Sequence, residues 1–238
     1  EVQTPPTKTR IIRVPFRGGA PRQLVGDGAR SGIGWSPDGR RMAFNRSDQP
    51  GQNSIAVADH DGQNARVLVT RRAPSFFVNV TFGQRAARPS WSPDGRQIAV
   101  IGIDTSPGKG GSTNEIVEID ADSGTERVVS RGGPMIELAY LDQSRWITST
   151  LKDGSAEWQI VSREGAAVAV TRDLSYLVGV QLTAARDTGV AIRTALRSAI
   201  EVGGVAAGDF APVIEESGAE SADAALDSAG NIFYFARV

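Results

Sequence analysis

The chain has 238 residues and carries 26 Lys or Arg against 27 Asp or Glu, which gives a formal net charge of −1. This balance argues against a broad face for nucleic acid or anionic lipid, because such faces need an excess of basic side chains. The chain has no cysteine and one histidine, which excludes disulfide frameworks, thiolate metal sites and multi-histidine metal sites. We therefore expect no bound metal ion and no cofactor, and the absence of long apolar runs argues against a membrane-spanning helix.

The first predicted element is a hairpin over residues 11–25, in which a Gly-Gly turn joins two strands of alternating polarity. Residues 33–44 follow as a second hairpin with the turn sequence Ser-Pro-Asp-Gly. The proline presets φ at the turn, the aspartate can bond nearby backbone, and the glycine permits positive φ. Residues 89–100 repeat this hairpin with the same turn, so Gly39 and Gly95 occupy equivalent positions.

Two kinds of hairpin alternate along the rest of the chain. Hairpins with a simple Gly-containing turn are predicted at residues 55–69, 116–129, 158–170 and 200–214. Weaker copies of the Trp-Ser-Pro-Asp-Gly hairpin are predicted at residues 138–148, 180–193 and 225–235. The positions equivalent to its tryptophan are 35, 91, 140, 182 and 226, at intervals of 42–56 residues. Repeats of this length are typical of the four-stranded blades of a β-propeller.

This alternation predicts an all-β fold, with a single β-propeller domain over residues 1–238. Five inner and five outer hairpins predict five blades, and six remain open if the chain is a piece of a longer propeller. The chain starts with an outer hairpin and ends with an inner one, so we expect residues 11–25 and 225–235 to share a blade and close the ring. Large rings that recur in the inner hairpins are expected to fill the wedges between blades, namely Trp35, Trp91, Tyr140 and Trp146.

The repeat Trp-Ser-Pro-Asp-Gly-Arg-x-x-Ala, at residues 35–43 and 91–99, resembles the repeat of TolB-type bacterial propellers, which are relatives of the WD-type repeats. Two copies match closely, and the periodicity extends over nearly the whole chain. Similar propellers occur as the periplasmic TolB protein, in the extracytoplasmic parts of bacterial receptor-like serine/threonine kinases, and beside the hydrolase domain of prolyl-oligopeptidase-like enzymes. The resemblance implies the fold and a periplasmic or other extracytoplasmic location, whereas function does not follow from a fold.

No linear motif for catalysis stands out. His60 is the sole histidine and falls in a predicted turn, and the chain has no Gly-x-Ser-x-Gly elbow. The Asp-x-Asp pairs at 59–61 and 120–122 lie at turns, where aspartate and glycine are already favoured. Residues 102–113 lack the spacing of a phosphate loop. We therefore expect a protein that is not an enzyme.

The segment from residue 71 to residue 88 departs from the repeat, because it replaces a short connector with an insertion rich in phenylalanine and arginine. We expect it to share a face with the long loops at residues 46–53 and 104–113. Aromatic and arginine side chains dominate the energetics of protein interfaces. Two interpretations remain open, a contact surface and a loop whose phenylalanines pack beneath it. The candidate binding residues are Arg71, Arg72, Phe76, Phe77, Phe82, Arg85 and Arg88.

We expect the chain to be a noncatalytic scaffold or sensor propeller of a larger bacterial envelope protein, with a protein or peptide partner on its loop face. This expectation draws also on the start of the chain at Glu1 without an apolar signal-peptide core, which we read as a piece of a longer or processed protein. One alternative is an accessory propeller that gates substrate for a peptidase-like enzyme whose catalytic domain lies elsewhere. Another is a propeller enzyme that holds a small ligand in its channel.

Overall fold

A computed structural model describes residues 9–26, 28–30, 32–47, 49–79, 87–106, 113–152, 155–171, 176–183, 185–194, 197–202, 211–217, 220–226 and 232–237. Within these ranges every regular element is a β-strand, and consecutive strands pair mostly antiparallel. No helix in the described ranges is long and apolar enough to cross a membrane. The all-β prediction is therefore confirmed.

The first three sheets are built from consecutive strands. A short hairpin comes first, with strands β1 (Ile11–Arg13) and β2 (Arg22–Val25). Blade 1 follows in sheet order as β3 (Gly34–Trp35), β4 (Arg41–Arg46), β5 (Gln52–Asp59) and β6 (Arg66–Arg72). Blade 2 contains β7 (Ser75–Phe77), β8 (Ser90–Trp91), β9 (Gln97–Asp104), β10 (Thr113–Asp120) and β11 (Glu126–Gly132). Both β7 and β8 pair with β9, so together they form the innermost strand of blade 2.

The second half of the chain continues the same order. Blade 3 consists of β12 (Met135–Tyr140), β13 (Arg145–Lys152), β14 (Ser155–Ser162) and β15 (Ala167–Ala169). The next pair is β16 (Tyr176–Leu182) with β17 (Gly189–Thr194). Two further hairpins follow, β18 (Arg197–Val202) with β19 (Ala211–Ser217), and β20 (Glu220–Leu226) with β21 (Ile232–Arg237). The predicted succession of strand pairs is present in the described residues of this half.

The core lies between the sheets and follows from the two-residue period of a strand. In β9 the side chains of Ile98 and Val100 pack in one cluster with residues of blade 1, whereas Ala99 and Ile101 pack in another with residues of blade 3. Successive side chains of a strand point to opposite faces. A blade with neighbours on both faces therefore buries a continuous apolar run, as in a propeller.

The hairpin β1–β2 lies against blade 1 in the way that β6 lies against blade 2. Gly62 in the turn after β5 approaches the carbonyl of Leu24 in β2, and Gly124 in the turn after β10 approaches the carbonyl of Leu68 in β6. Both glycines have positive φ, 88° and 75°. The β1–β2 hairpin thus takes the place of an outer hairpin before blade 1. The blade count and closure with the C-terminal hairpin stay predictions.

Candidate functional site

Three connections meet on one face, which we call the loop face. The amide of Ala73 donates to the carbonyl of Gly51 at 3.0 Å, which joins the β6–β7 connection to the β4–β5 loop. The amide of Thr105 donates to the carbonyl of Pro74 at 2.9 Å, and its hydroxyl donates to the same oxygen at 2.8 Å. The predicted sharing of a face is therefore observed for the described parts of these loops.

The insertion differs from the expected long connector. Its beginning is regular, because β6 continues to Arg72 and β7 starts at Ser75 after a tight turn with a cis Ala73–Pro74 bond. The extra residues come later, between β7 and β8, and so interrupt the innermost strand of blade 2. Blade 1 has a shorter break at the same place, where Ala29 pairs with Arg46 ahead of β3. The connector interpretation was therefore wrong for the first part of the insertion.

Two of the candidate binding residues lie inside the interface between blades. Phe77 has 1% of its surface exposed and packs in the core cluster shared by blades 1 and 2. The guanidinium of Arg71 lies 4.7 Å from the centre of the Phe77 ring. It also pairs with Glu115 at 3.4 Å and Glu126 at 3.2 Å, so it joins blade 1 to blade 2. In this conformation Arg71 and Phe77 hold the fold together, and a partner cannot reach Phe77.

The remaining candidates are divided between two places. Phe76 is half-buried and lines a groove of about 340 Å³ between blades 1 and 2 on the loop face. Arg72 is exposed beside this groove and donates to the side-chain oxygen of Gln52, a lining residue, at 2.9 Å. Arg88 lines a different cavity at the inner strands. Phe82 and Arg85 lie outside the described residues.

A buried asparagine that our sequence reading missed fixes the position of β7. Asn53 donates from its side-chain nitrogen to the carbonyl of Phe77 at 2.5 Å and accepts from the Phe77 amide at 2.9 Å. Asn114, at the same position of β10, accepts from the amide of Met135 in blade 3 at 2.7 Å. The second residue of the strand after the loop is Asn in both blades, which was the available signal in the sequence.

The opposite face, which we call the turn face, carries the Ser-Pro-Asp-Gly turns. Gly39 and Gly95 both have a φ of 70°, as predicted. In the first turn the Ser36 hydroxyl donates to Asp38 at 2.6 Å and holds the pKa of that carboxyl below its ordinary value. His60 is also an exposed turn residue on this face, and its amide donates to the carbonyl of Arg40.

The inner strands surround a cavity of about 670 Å³ near the turn face, which we call the channel mouth. It is lined by residues of β3, β8, β12 and β16 and of the turns that follow them. Trp91, Tyr140 and Trp146 are buried between blades as expected. The expectation was wrong for Trp35, which is 47% exposed and lines the channel mouth. The inner strand β3 has only two residues, and Trp35 is the last of them.

The described residues contain no cluster of three or more metal-ligating side chains. Their aspartate pairs instead stabilise turns. Asp120 accepts hydrogen bonds from the amides of Ser123 and Asp122, at 2.8 and 3.1 Å, and these bonds lower its pKa. Asp61 accepts from the amide of Gln63 at 3.0 Å. Both pairs are used as turn residues, in agreement with the sequence reading.

No family model matches the chain, and a search of curated proteins found no match. Solved structures do match. A putative TolB from Agrobacterium tumefaciens is 18% identical, with a TM-score of 0.57, over 94% of this chain and 73% of the other. TolB from Acinetobacter baumannii is 16% identical, with a TM-score of 0.56, over 94% of this chain and 47% of the other. An oligogalacturonate lyase from Vibrio parahaemolyticus is 13% identical, with a TM-score of 0.53, over 72% of this chain and 49% of the other.

These identities establish a shared fold and leave function open. The chain spans less than half of the Acinetobacter protein that it resembles. The two TolB structures each match over 94% of the chain. The tandem antiparallel sheets, the core clusters between them and this similarity agree with one another. The chain therefore has the fold of the TolB-type β-propellers.

Proposed function

We propose that the chain is a noncatalytic binding propeller that takes a protein or peptide partner on its loop face. The observation that carries the proposal is the groove of about 340 Å³ between blades 1 and 2, with half-buried Phe76 inside and exposed Arg72 beside it. An aromatic ring and a guanidinium are the side chains that contribute most to interface energies. The neighbouring Gln52 and Asn79 supply polar groups around the groove.

The way in which the groove is built supports the proposal. Its floor includes Phe77, whose backbone is held by Asn53 through two hydrogen bonds. Its rim includes Gly51, whose carbonyl accepts from the amide of Ala73. A site on supported backbone loses less conformational freedom on binding than a free loop does. We expect the groove to hold an extended segment of a partner that carries an apolar residue and an acidic residue.

The proposal is tested with a peptide display library selected on the folded protein, followed by calorimetry of the selected peptides. A double variant with Arg72→Glu and Phe76→Ser should lose binding by roughly tenfold or more, the effect of removing one or two interface anchors. A control double variant, Arg40→Glu with Val67→Ser, changes exposed residues away from the groove. It should bind as the wild type does.

Two outcomes contradict the proposal. One is that selection enriches no peptide that binds the wild type, and the other is that the control variant loses binding while the loop-face variant keeps it. Both variants must first show the melting temperature of the wild type. Phe77 is left unchanged in this design because its side chain is part of the core.

We also propose that the propeller belongs to a larger bacterial envelope protein and lies outside the cytoplasm, as the family resemblance implies. The reading frame of the gene tests this part. A kinase domain and a membrane-spanning segment before Glu1 would agree with a sensor, whereas a hydrolase domain after Val238 would favour the peptidase-gating alternative.

A further inference from the structure

The turn after β16 has the backbone geometry of the Ser-Pro-Asp-Gly turns, although its sequence is Thr-Ala-Ala-Arg and arginine stands where those turns have glycine. The amide of Arg186 donates to the carbonyl of Thr183 at 2.9 Å, as the amide of Gly39 does to Ser36 at 2.8 Å. The φ of Arg186 is 59°, close to the 70° of Gly39 and Gly95. A residue with a side chain is strained in this region, so glycine is the stabilising choice. The turn after β16 thus carries a strained arginine at the position that Gly39 and Gly95 occupy in the two close copies of the repeat.

The side chain of Arg186 reaches into the channel mouth and is held there. Its guanidinium donates to the backbone carbonyl of Tyr140 at 2.5 Å and to that of Trp91 at 3.3 Å. These two bonds orient the group across blades 2 and 3 and use part of its five N–H donors. The rest of the guanidinium lines the cavity. Arg186 is thus a positioned donor group.

The charge of Arg186 lacks a carboxylate partner among the described residues. Asp142 also lines the cavity, but Arg145 binds its carboxylate at 2.6 Å and the amide of Ser144 donates to it at 2.8 Å. The side chain of Asp187 accepts from the Thr183 hydroxyl at 2.9 Å. Burial lowers the pKa of the Arg186 guanidinium, as expected for a cation removed from water without a paired anion.

The rest of the wall is mixed, and its polar part comes from Arg88, Ser90, Asp142, Gln143 and Thr183, beside which lie several apolar side chains. Trp35, 47% exposed, lies on the blade 1 side, and Leu138 and Leu141 lie on the blade 3 side. Pro37 and Pro93 form the outer edge at the turn face. A cavity of about 670 Å³ is within the size range of small-molecule sites. The held guanidinium of Arg186 beside an indole and aliphatic side chains suits a ligand that is anionic at one end and apolar at the other.

We propose that the channel mouth binds a carboxylate attached to an apolar group. The carboxylate accepts hydrogen bonds from Arg186, whose planar guanidinium matches the two oxygens. The apolar group packs against Trp35 and the leucines of blade 3. Two sources supply this chemistry, a free arylalkyl carboxylic acid and the C-terminal residue of a peptide. The site lies at the opposite end of the inner strands from the loop-face groove, so it is independent of the function proposed above.

Calorimetry with matched small ligands tests the proposal directly. N-acetylphenylalanine should bind the wild-type protein at least about tenfold more tightly than N-acetylphenylalaninamide, since only the acid can pair with the guanidinium. A second pair, acetyl-Ala-Ala-Phe and its amide, separates the two sources. Tighter binding of the tripeptide acid than of the single residue identifies a peptide terminus, and equal binding identifies a free acid.

Three variants assign the site. Arg186→Gly restores the glycine of the repeat, so the melting temperature should be kept while the preference for the acid is lost. Trp35→Ala should weaken both ligands of a pair by a similar factor. The control Arg96→Gly makes the same change at an exposed turn residue on the same face and should leave binding unchanged. The loop-face variant Arg72→Glu should also bind the acid normally.

Clear results would overturn the proposal. The first such result is equal affinity of the wild-type protein for the acid and the amide. The second is that Arg186→Gly keeps the preference for the acid. If Arg186→Gly does not fold, Arg186→Asn replaces it, because asparagine tolerates positive φ and lacks the charge. If Arg186→Asn keeps the preference for the acid over the amide, the proposal is likewise overturned.

Discussion

The interface between blades 2 and 3 depends on a buried carboxylate, Glu118 of β10, whose side chain is 2% exposed. Arg163, which follows β14, binds both of its oxygens at 2.6 and 2.7 Å. Tyr140 donates its hydroxyl at 2.7 Å, and Arg127 of the neighbouring strand donates at 2.8 Å. The Arg163 guanidinium also lies 5.5 Å from the centre of the Trp146 ring. Three side chains thus donate four hydrogen bonds to this carboxylate.

We expect Glu118→Gln to destabilise the protein strongly, although it hardly changes the shape of the side chain. The amide leaves Arg163 without its counter-charge and can accept hydrogen bonds through only one atom. Breaking a buried ion pair on one side costs about 3–5 kcal/mol. Arg163 keeps 31% of its side chain exposed and can regain some hydration, so we expect about 3 kcal/mol. For a domain of this length that lowers the melting temperature by roughly 6–12 °C.

The same network makes stability depend on pH. Burial raises the pKa of Glu118, but the hydrogen bonds from Arg163, Tyr140 and Arg127 lower it further, so the net pKa lies below the ordinary 4.5. The folded state therefore favours the charged form. This contribution is complete above the unfolded pKa and is lost as the pH falls below about 4.5 toward the folded pKa. The stability difference between wild type and Glu118→Gln should shrink over that range.

The measurement is urea unfolding of both proteins at pH 7 and at several values below 4.5. Asp122→Asn is the matched control, because Asp122 is 85% exposed and pairs with Arg41 at 3.0 Å. Surface pairs of this kind contribute at most about 1 kcal/mol. The reasoning fails if Glu118→Gln and Asp122→Asn cost the same at pH 7, or if the cost of Glu118→Gln does not change with pH.

Three further predictions concern the packing of the blades. Gly34→Ala should destabilise by about 1–3 kcal/mol in urea unfolding, because the new methyl group would overlap the carbonyl of Pro89 in blade 2. A cost no greater than that of an alanine substitution at exposed Gly132, whose added methyl group would have nothing within 4 Å, would contradict the close approach. Asn53→Ala should cost about 2–4 kcal/mol, because both backbone groups of Phe77 lose their partner in a buried place; unchanged hydrogen exchange at the Phe77 amide would refute this. Removal of residues 1–25 should cause unfolding or aggregation, because the outer hairpin beside blade 1 is lost; a monomer with an unchanged melting temperature would argue against ring closure.

The repeat and the period of its strands could be predicted because they depend on local chemistry. Ser36, Asp38 and Gly39 form their turn through contacts within six residues of chain, so the sequence alone predicts the turn. The apolar runs of β9 and β10 are buried on both faces, and such runs follow from the stacking of blades. These features gave the all-β class and the propeller architecture without any structure.

The candidate site could be predicted only in outline. The sequence indicated a face where loops meet, and the hydrogen bonds among Gly51, Ala73, Pro74 and Thr105 confirm that they do. The sequence could not predict that Phe76 lines a groove while Phe77 lies in the core, because the two residues are adjacent and chemically identical. Which one is buried depends on the strand register, since Phe77 pairs with Gly102 and faces blade 1.

Only the tertiary structure shows which residues form the channel mouth. Trp35 and Arg186 are far apart in the chain. Trp35 belongs to a close copy of the repeat, and Arg186 belongs to a weak copy. They meet because the packing of the sheets brings the C-terminal ends of β3 and β16 to the same cavity. A sequence pattern reports which face of a strand is buried, because that face is set by a period of two residues. It does not report which distant side chains share a cavity, because that depends on how whole blades pack together.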